Sequence, residues 1–236
     1  MPEKSTIDAA IAPLKPIFEP GSTASESKSL QAVIEKLELQ PHVEGGYFVE
    51  TDRDTHRVPN PFVPQAQQVS SKSPEDNTRS ASTTIHYLLT PKSPLGAFHR
   101  NRGRTVHTLH RGRGRYVIIH ADEVASASCP GGYGGAEDLT EERRWVWKAR
   151  VETFVVGQDV MKGERLQWIV DGGKYKSSFL LPDEEDGKSS EGLLISETVV
   201  PGFEYSDHDF MKAERMDALV STEQRKEMDW MLRKSD

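Results

Sequence analysis

The stretch Ala97 to Gly112 reads A-F-H-R-N-R-G-R-T-V-H-T-L-H-R-G and carries three of the chain's eight histidines, His99, His107 and His110. It has no helical apolar period. Its two ends read as strands, joined by the turn chemistry of Arg102-Gly103-Arg104. Alternate residues of a strand share a face, so a hairpin here would aim several imidazoles at one place. His99 and Asn101 fall on one face of the first strand. Thr105, His107 and Leu109 share a face of the second. A chain built around such a stretch is expected to be a β structure with a polar interior.

Composition narrows what surrounds it. The chain has 236 residues, 35% apolar and 28% charged, with net charge -7. One domain with polar extensions is expected. Six arginines between Arg100 and Arg115 make a local basic run. A solvated face explains that run, and the acidic balance argues against a nucleic-acid partner. The single cysteine, Cys129, excludes an internal disulfide. It sits in a Gly-rich loop composition with no base beside it, so no nucleophilic role is expected. A reducing, cytoplasmic setting fits. No stretch reaches the ~18–20 apolar residues of a membrane span, and the N-terminus lacks a signal-peptide core.

Along the chain, residues 1–28 are rich in Pro, Ser and Thr and read as a disordered arm. Leu30, Val33, Ile34 and Leu37 recur at helical spacing, with Ser27 or Ser29 as cap. Pro41 ends that helix, and Gly45-Gly46 makes a turn. Strands are expected at Tyr47–Thr51, Ser82–Thr90, Arg115–His120, Trp145–Val156, Arg165–Val170, Tyr175–Leu181 and Gly192–Val200. Asp171-Gly172-Gly173-Lys174 is a further turn signal. Two insertions, at about 54–78 and 121–144, lack periodicity. The second contains the cluster Gly131 to Gly135, which floats in a loop and does not read as a phosphate cradle. From Ala213 the pattern is helical, with a capping box at Ser221 to Gln224. Many short strands with helices only at the ends indicate an all-β sandwich or barrel.

The central stretch resembles the first motif of the cupin superfamily, which places His, a second His, Glu and a closing Gly in that order. Here those places hold His99, Asn101, Thr105 and Gly112. The second cupin motif falls on Asp171, Gly173 and Lys176, with a lysine where a metal-binding His would stand. Four blocks also resemble one cupin branch, the DUF985 family (cupin superfamily 5). They are Leu39 to Thr51; Ser82 to Leu89; Phe98, His99 and Arg100 with His110 and Gly112; and Val199 to Asp207. The resemblance implies a double-stranded β-helix, or jelly-roll barrel, with short N- and C-terminal helices. It implies a barrel over residues 29–212, a helical extension over 213–236, a polar pocket and a homodimer. Three of the four motif places carry poor ligands or a positive charge, so neither a bound metal nor a cofactor is expected.

Two functional readings follow. In the first, the barrel binds a small polar or anionic ligand without metal. Tyr47, Glu50, Asn101, Thr105, His107, His110, Gln167 and Lys176 would line the pocket around His99, and Lys176 would favour an anion. In the second, the barrel is a sugar or nucleotide-sugar epimerase or isomerase. His99 would be the base, Asp207 or Glu50 its orienter, and Tyr175 or Tyr47 the acid. A metal dioxygenase lacks its ligands at the motif places. A structural role would use the two insertions for a partner protein. His42 and Glu44 read as turn residues.

Overall fold

The computed structural model describes residues 3–20, 25–62, 77–124, 148–184 and 187–234. Helix α1 spans Lys28–Lys36. It is followed by β1 (Gln40–Pro41), β2 (Tyr47–Arg53), β3 (Arg57–Pro59), β4 (Thr78–Ser80), β5 (Thr83–Leu89), β6 (Leu95–Arg100), β7 (Arg104–Arg111) and β8 (Gly114–Ile119). Then come β9 (Val151–Val156), β10 (Gln167–Val170), β11 (Tyr175–Leu180), β12 (Leu193–Val200) and β13 (Asp209–Phe210). Two short helices close the chain, α2 (Ala213–Leu219) and α3 (Thr222–Met228). One sheet has the order β1-β2-β5-β12-β7-β10 and the other β13-β6-β11-β8-β9. Every named strand pair is antiparallel. No helix among the described residues is long and apolar enough to cross a membrane.

The expected turns lie where the sequence puts them, but two of them are not hairpins. The turn at Asn101–Gly103 joins β6 in one sheet to β7 in the other, and the turn at Asp171–Lys174 likewise joins β10 to β11. Turn residues reverse the chain; they do not decide whether the next strand rejoins the same sheet. His99 and His107 therefore enter the interior from opposite sheets.

Alternation sets the interior. On β7, Thr105, His107 and Leu109 are buried and their neighbours are not. On β12, Leu193, Ile195, Glu197 and Val199 point inward, so Glu197 takes a core place on an otherwise apolar face. The barrel core gathers Tyr87, Tyr116, Phe154, Trp168 and Ile195. Helix α1 is capped by the Ser27 side chain, which accepts from the Leu30 N–H. It buries Leu30 and Ile34 against Leu39 and Leu88 on the outer face of the six-stranded sheet. Each such side chain contributes about 1.5–3 kcal/mol of burial.

Residues 3–20 differ from the expected disordered arm. Leu14 is buried with Met216, Leu219, Met228 and Met231. The Glu227 carboxylate accepts from Ser5 Oγ at 2.7 Å and from the backbone N–H groups of Thr6 and Leu14 at 2.8 Å. Composition alone misses this docking, because a few apolar residues suffice once the C-terminal helices offer an apolar stripe. The capping box at Ser221 and Gln224 is present. Of the two insertions, the first is flanked by the β3–β4 pair, with residues 63–76 outside the described residues. Most of the second, with Cys129 and the Gly131–Gly135 cluster, also lies outside them.

Candidate functional site

Two polar clusters occupy the barrel. The outer one is built on Glu44. The turn between β1 and β2 passes so close to β6 that a Cβ on Gly45 would lie 2.0 Å from the Leu95 carbonyl oxygen, and Gly45 has φ +104°. Only glycine fits both demands. The Ala97 N–H then donates to the Glu44 carbonyl at 2.8 Å, fixing Glu44 beside β6. His99 lies 5% exposed on β6. Pairing of β13 with β6 aligns Phe210 with His99 and brings His208 alongside. The His99 and His208 rings stack, 5.2 Å apart and 12° from parallel. Both direct Nε2 at Glu44 Oε1, at 3.2 Å for His99 and 2.8 Å for His208. His42 Nδ1 stands 3.6 Å from Glu44 Oε2.

Burial lowers the His99 imidazole to about 4; Glu44 pulls it up, while Lys176 and His208 push it down. The ring is neutral at neutral pH. Burial acts to raise the Glu44 carboxyl, but the surrounding imidazoles more than offset it and hold it at about 2. Glu44 is therefore a carboxylate.

The inner cluster is built around an ion pair. Lys176 Nζ donates to Glu197 Oε2 at 2.6 Å and to His107 Nε2 at 2.9 Å. The His107 ring stacks on Trp168 at 5.1 Å, and Tyr116 meets both rings edge-on. Burial, then Lys176, lowers the His107 imidazole; Lys176 and His107 together hold Glu197 well below the usual carboxylate range despite its burial.

A cavity of about 70 Å³ opens over the outer cluster. Glu44, His99, Asn101, Arg53, Phe48 and Tyr205 are among its walls. Asn101 Oδ1 is buried and has no hydrogen-bond partner among the described residues. A second space of about 10 Å³, room for one water, lies deeper among Tyr87, Tyr116, Ser178, Lys176 and Glu197. A larger groove of about 510 Å³ sits at the other end of β12, where Arg113 and Glu164 pair across it at 2.6 Å.

The structure sorts the residues singled out from sequence. His99, Asn101 and Glu50 line the cavity. Lys176 and His107 lie behind it in the inner cluster. Lys176 does not offer a free charge to a ligand, because Glu197 already neutralises it. Asp207 does not orient His99. Arg79 holds its carboxylate through both terminal nitrogens. Tyr175 is in the core on the far side of β11, its hydroxyl donating to Asp209 at 2.8 Å. The Tyr47 hydroxyl donates to Glu26 at 2.8 Å, in the layer beneath α1. Thr105 is buried, but it is not among the cavity's walls. His110 is exposed and meets His86 edge-on; Gln167 is exposed beside Thr108. Sequence reasoning missed Glu44, His208 and Glu197. Glu44 had a signal, since it sits between His42 and Gly45-Gly46. Nothing local marks His208 or Glu197.

Two antiparallel sheets enclosing a polar interior, with an imidazole–carboxylate cluster at the mouth, define the class as a cupin-type barrel. The chain belongs to the Cupin superfamily (DUF985), whose family model matches residues 31–211. Uncharacterized protein YML079W of Saccharomyces cerevisiae is 40% identical over 226 residues, covering 94% of each chain. A hypothetical protein from Leishmania major has a TM-score of 0.63 at 28% identity, covering 86% of this chain and 98% of its own. Protein SO0799 from Shewanella oneidensis shares the fold at a TM-score of 0.59 and 20% identity, with 87% and 98% covered.

Proposed function

We propose that the protein binds a small polar molecule in the cavity over Glu44, His99 and Asn101. The observation that carries this is Asn101, a residue of the cavity wall whose buried Oδ1 has no partner among the described residues. A buried acceptor left unmet is costly, so a ligand hydroxyl or amine donor belongs there. The volume of about 70 Å³ holds roughly five waters at ~10–15 Å³ each, which suits a molecule of a few heavy atoms. The cations nearby are committed: Lys176 to Glu197, and Arg53 to Glu50 and Glu204. Of the polar and anionic ligands expected from sequence, the geometry favours the neutral polar one. Saturation-transfer NMR with glycerol, erythritol, ribose and glucose tests this. At least one should bind, and Asn101→Leu should weaken it by about tenfold, the worth of one hydrogen bond. Binding by none of them, or unchanged binding in the variant, would sink the proposal.

A sugar epimerase or isomerase is a second reading, favoured by the neutral His99 imidazole at the cavity wall. It keeps its base but needs a new acid. Tyr205 is the tyrosine among the cavity's lining residues. Deuterium uptake at the carbon α to the carbonyl of an added aldose in heavy water is its test, and no uptake removes it.

A homodimer formed through β2 belongs to the same proposal. Among the described residues, strand β1 covers only Tyr47 and Phe48, which leaves the rest of that sheet edge for a second copy. Sedimentation should show a dimer at micromolar concentration; a monomer removes it.

A further inference from the structure

We infer that Glu44, His99 and His208 form a binding site for one divalent transition-metal ion of the zinc or ferrous class. The expectation of a metal-free site rested on His99 being the sole strong ligand at the motif places. Within the fold, two ligands from outside those places join it. The three donor atoms lie within 4.8 Å of one another. A tetrahedral ion with bonds of ~2.0–2.1 Å sets its ligands about 3.3 Å apart. The Glu44–His99 separation of 3.2 Å is already there, and the Glu44–His208 separation of 2.8 Å is close. Two imidazoles and one carboxylate suit zinc or ferrous iron and leave a position open. Glu44 and His99 line the cavity, so that position opens toward the bound molecule.

The hydrogen bonds point the same way. His99 Nδ1 sits 2.9 Å from the Ala97 carbonyl oxygen. A carbonyl can only accept, so Nδ1 carries the proton. Nε2 is then the nitrogen left to act as a ligand, and it faces a carboxylate oxygen at 3.2 Å. A ring N–H given to a backbone carbonyl is also the usual outer support of a metal-bound histidine. Lys176 is the nearby ammonium, and Glu197 and His107 occupy it. Glu44 and Glu197 against Lys176 leave one net negative charge, which suits a divalent cation.

This inference deepens the cavity reading above, and the two can fail separately. The full chain is stripped with EDTA and dialysed against zinc(II), and in parallel against cobalt(II) for its visible absorption. One ion should bind per chain. His208→Leu and Glu44→Gln should each weaken binding by about 100-fold, at the upper end of what even loss of an outer support costs. His110→Gln should bind as wild type does. Circular dichroism checks each fold, and either folded variant suffices. Well under one ion per chain, or binding that survives both changes, overturns the inference. So does nitrogen NMR showing His99 doubly protonated at neutral pH, because a proton then bridges the pair. Zinc uptake with no sugar or polyol bound would leave the cavity reading to fall alone. The reverse outcome would leave the metal site to fall alone.

Discussion

The inner and outer clusters use the same parts and solve the same problem differently. Each sets a buried carboxylate against imidazole. Inside, Glu197 has a built-in counter-ion, since the Lys176 ammonium sits 2.6 Å away and also satisfies His107 Nε2. That cluster packs against Trp168 and Tyr116, with Glu197 also on the cavity wall. At the mouth, Glu44 faces three imidazoles and, among the described residues, no ammonium. A buried charge needs a partner. The Glu197 charge is met inside the fold, whereas the Glu44 charge beside the same cavity is the one we infer takes a cation from outside.

The sharpest way to break this comparison is to take away the built-in cation. Lys176→Met should destabilise the protein by about 3 kcal/mol, because Glu197 is left buried with only the His107 imidazole beside it. Pairing it with Glu197→Leu should recover most of the loss, since an apolar pair of similar volume replaces a buried ion pair at little net cost. Urea unfolding measures both. A cost below about 1 kcal/mol for the single change would mean that solvent in the cavity screens the Glu197 charge.

Acid should read out the outer cluster. His99 has a folded value of about 4 against an ordinary 6.5. The unfolded chain therefore binds this proton first. The stability from a neutral, buried His99 is full above pH 6.5 and is lost as pH falls toward 4, a change of about 3 kcal/mol. Glu44 adds a second loss in the same direction, between 4.5 and about 2. In chelator-treated protein, His99→Gln should flatten the stability curve between pH 6.5 and 4. An unaltered slope there would show that His99 is already charged in the fold and that the two clusters are alike.

The sequence by itself determined most of the longer strands, the shared face of Thr105, His107 and Leu109, and the two helix caps. These are legible because period, turn chemistry and capping act within a few residues. Only the tertiary structure decided which faces meet. His208 lies 164 residues from Glu44, yet the two share a hydrogen bond at 2.8 Å. Their meeting depends on β13 pairing with β6 and on the Gly45 turn pressing against Leu95. Lys176 looked like a free cation for a ligand until β12 set Glu197 beside it. Asp207 looked like an orienter until Arg79 claimed it. Residues 3–20 looked unstructured until α2 and α3 gave Leu14 a surface to pack on. A local pattern records which side of a strand is buried. It carries no record of which distant side chain will be buried opposite, and a charge takes its role from that partner.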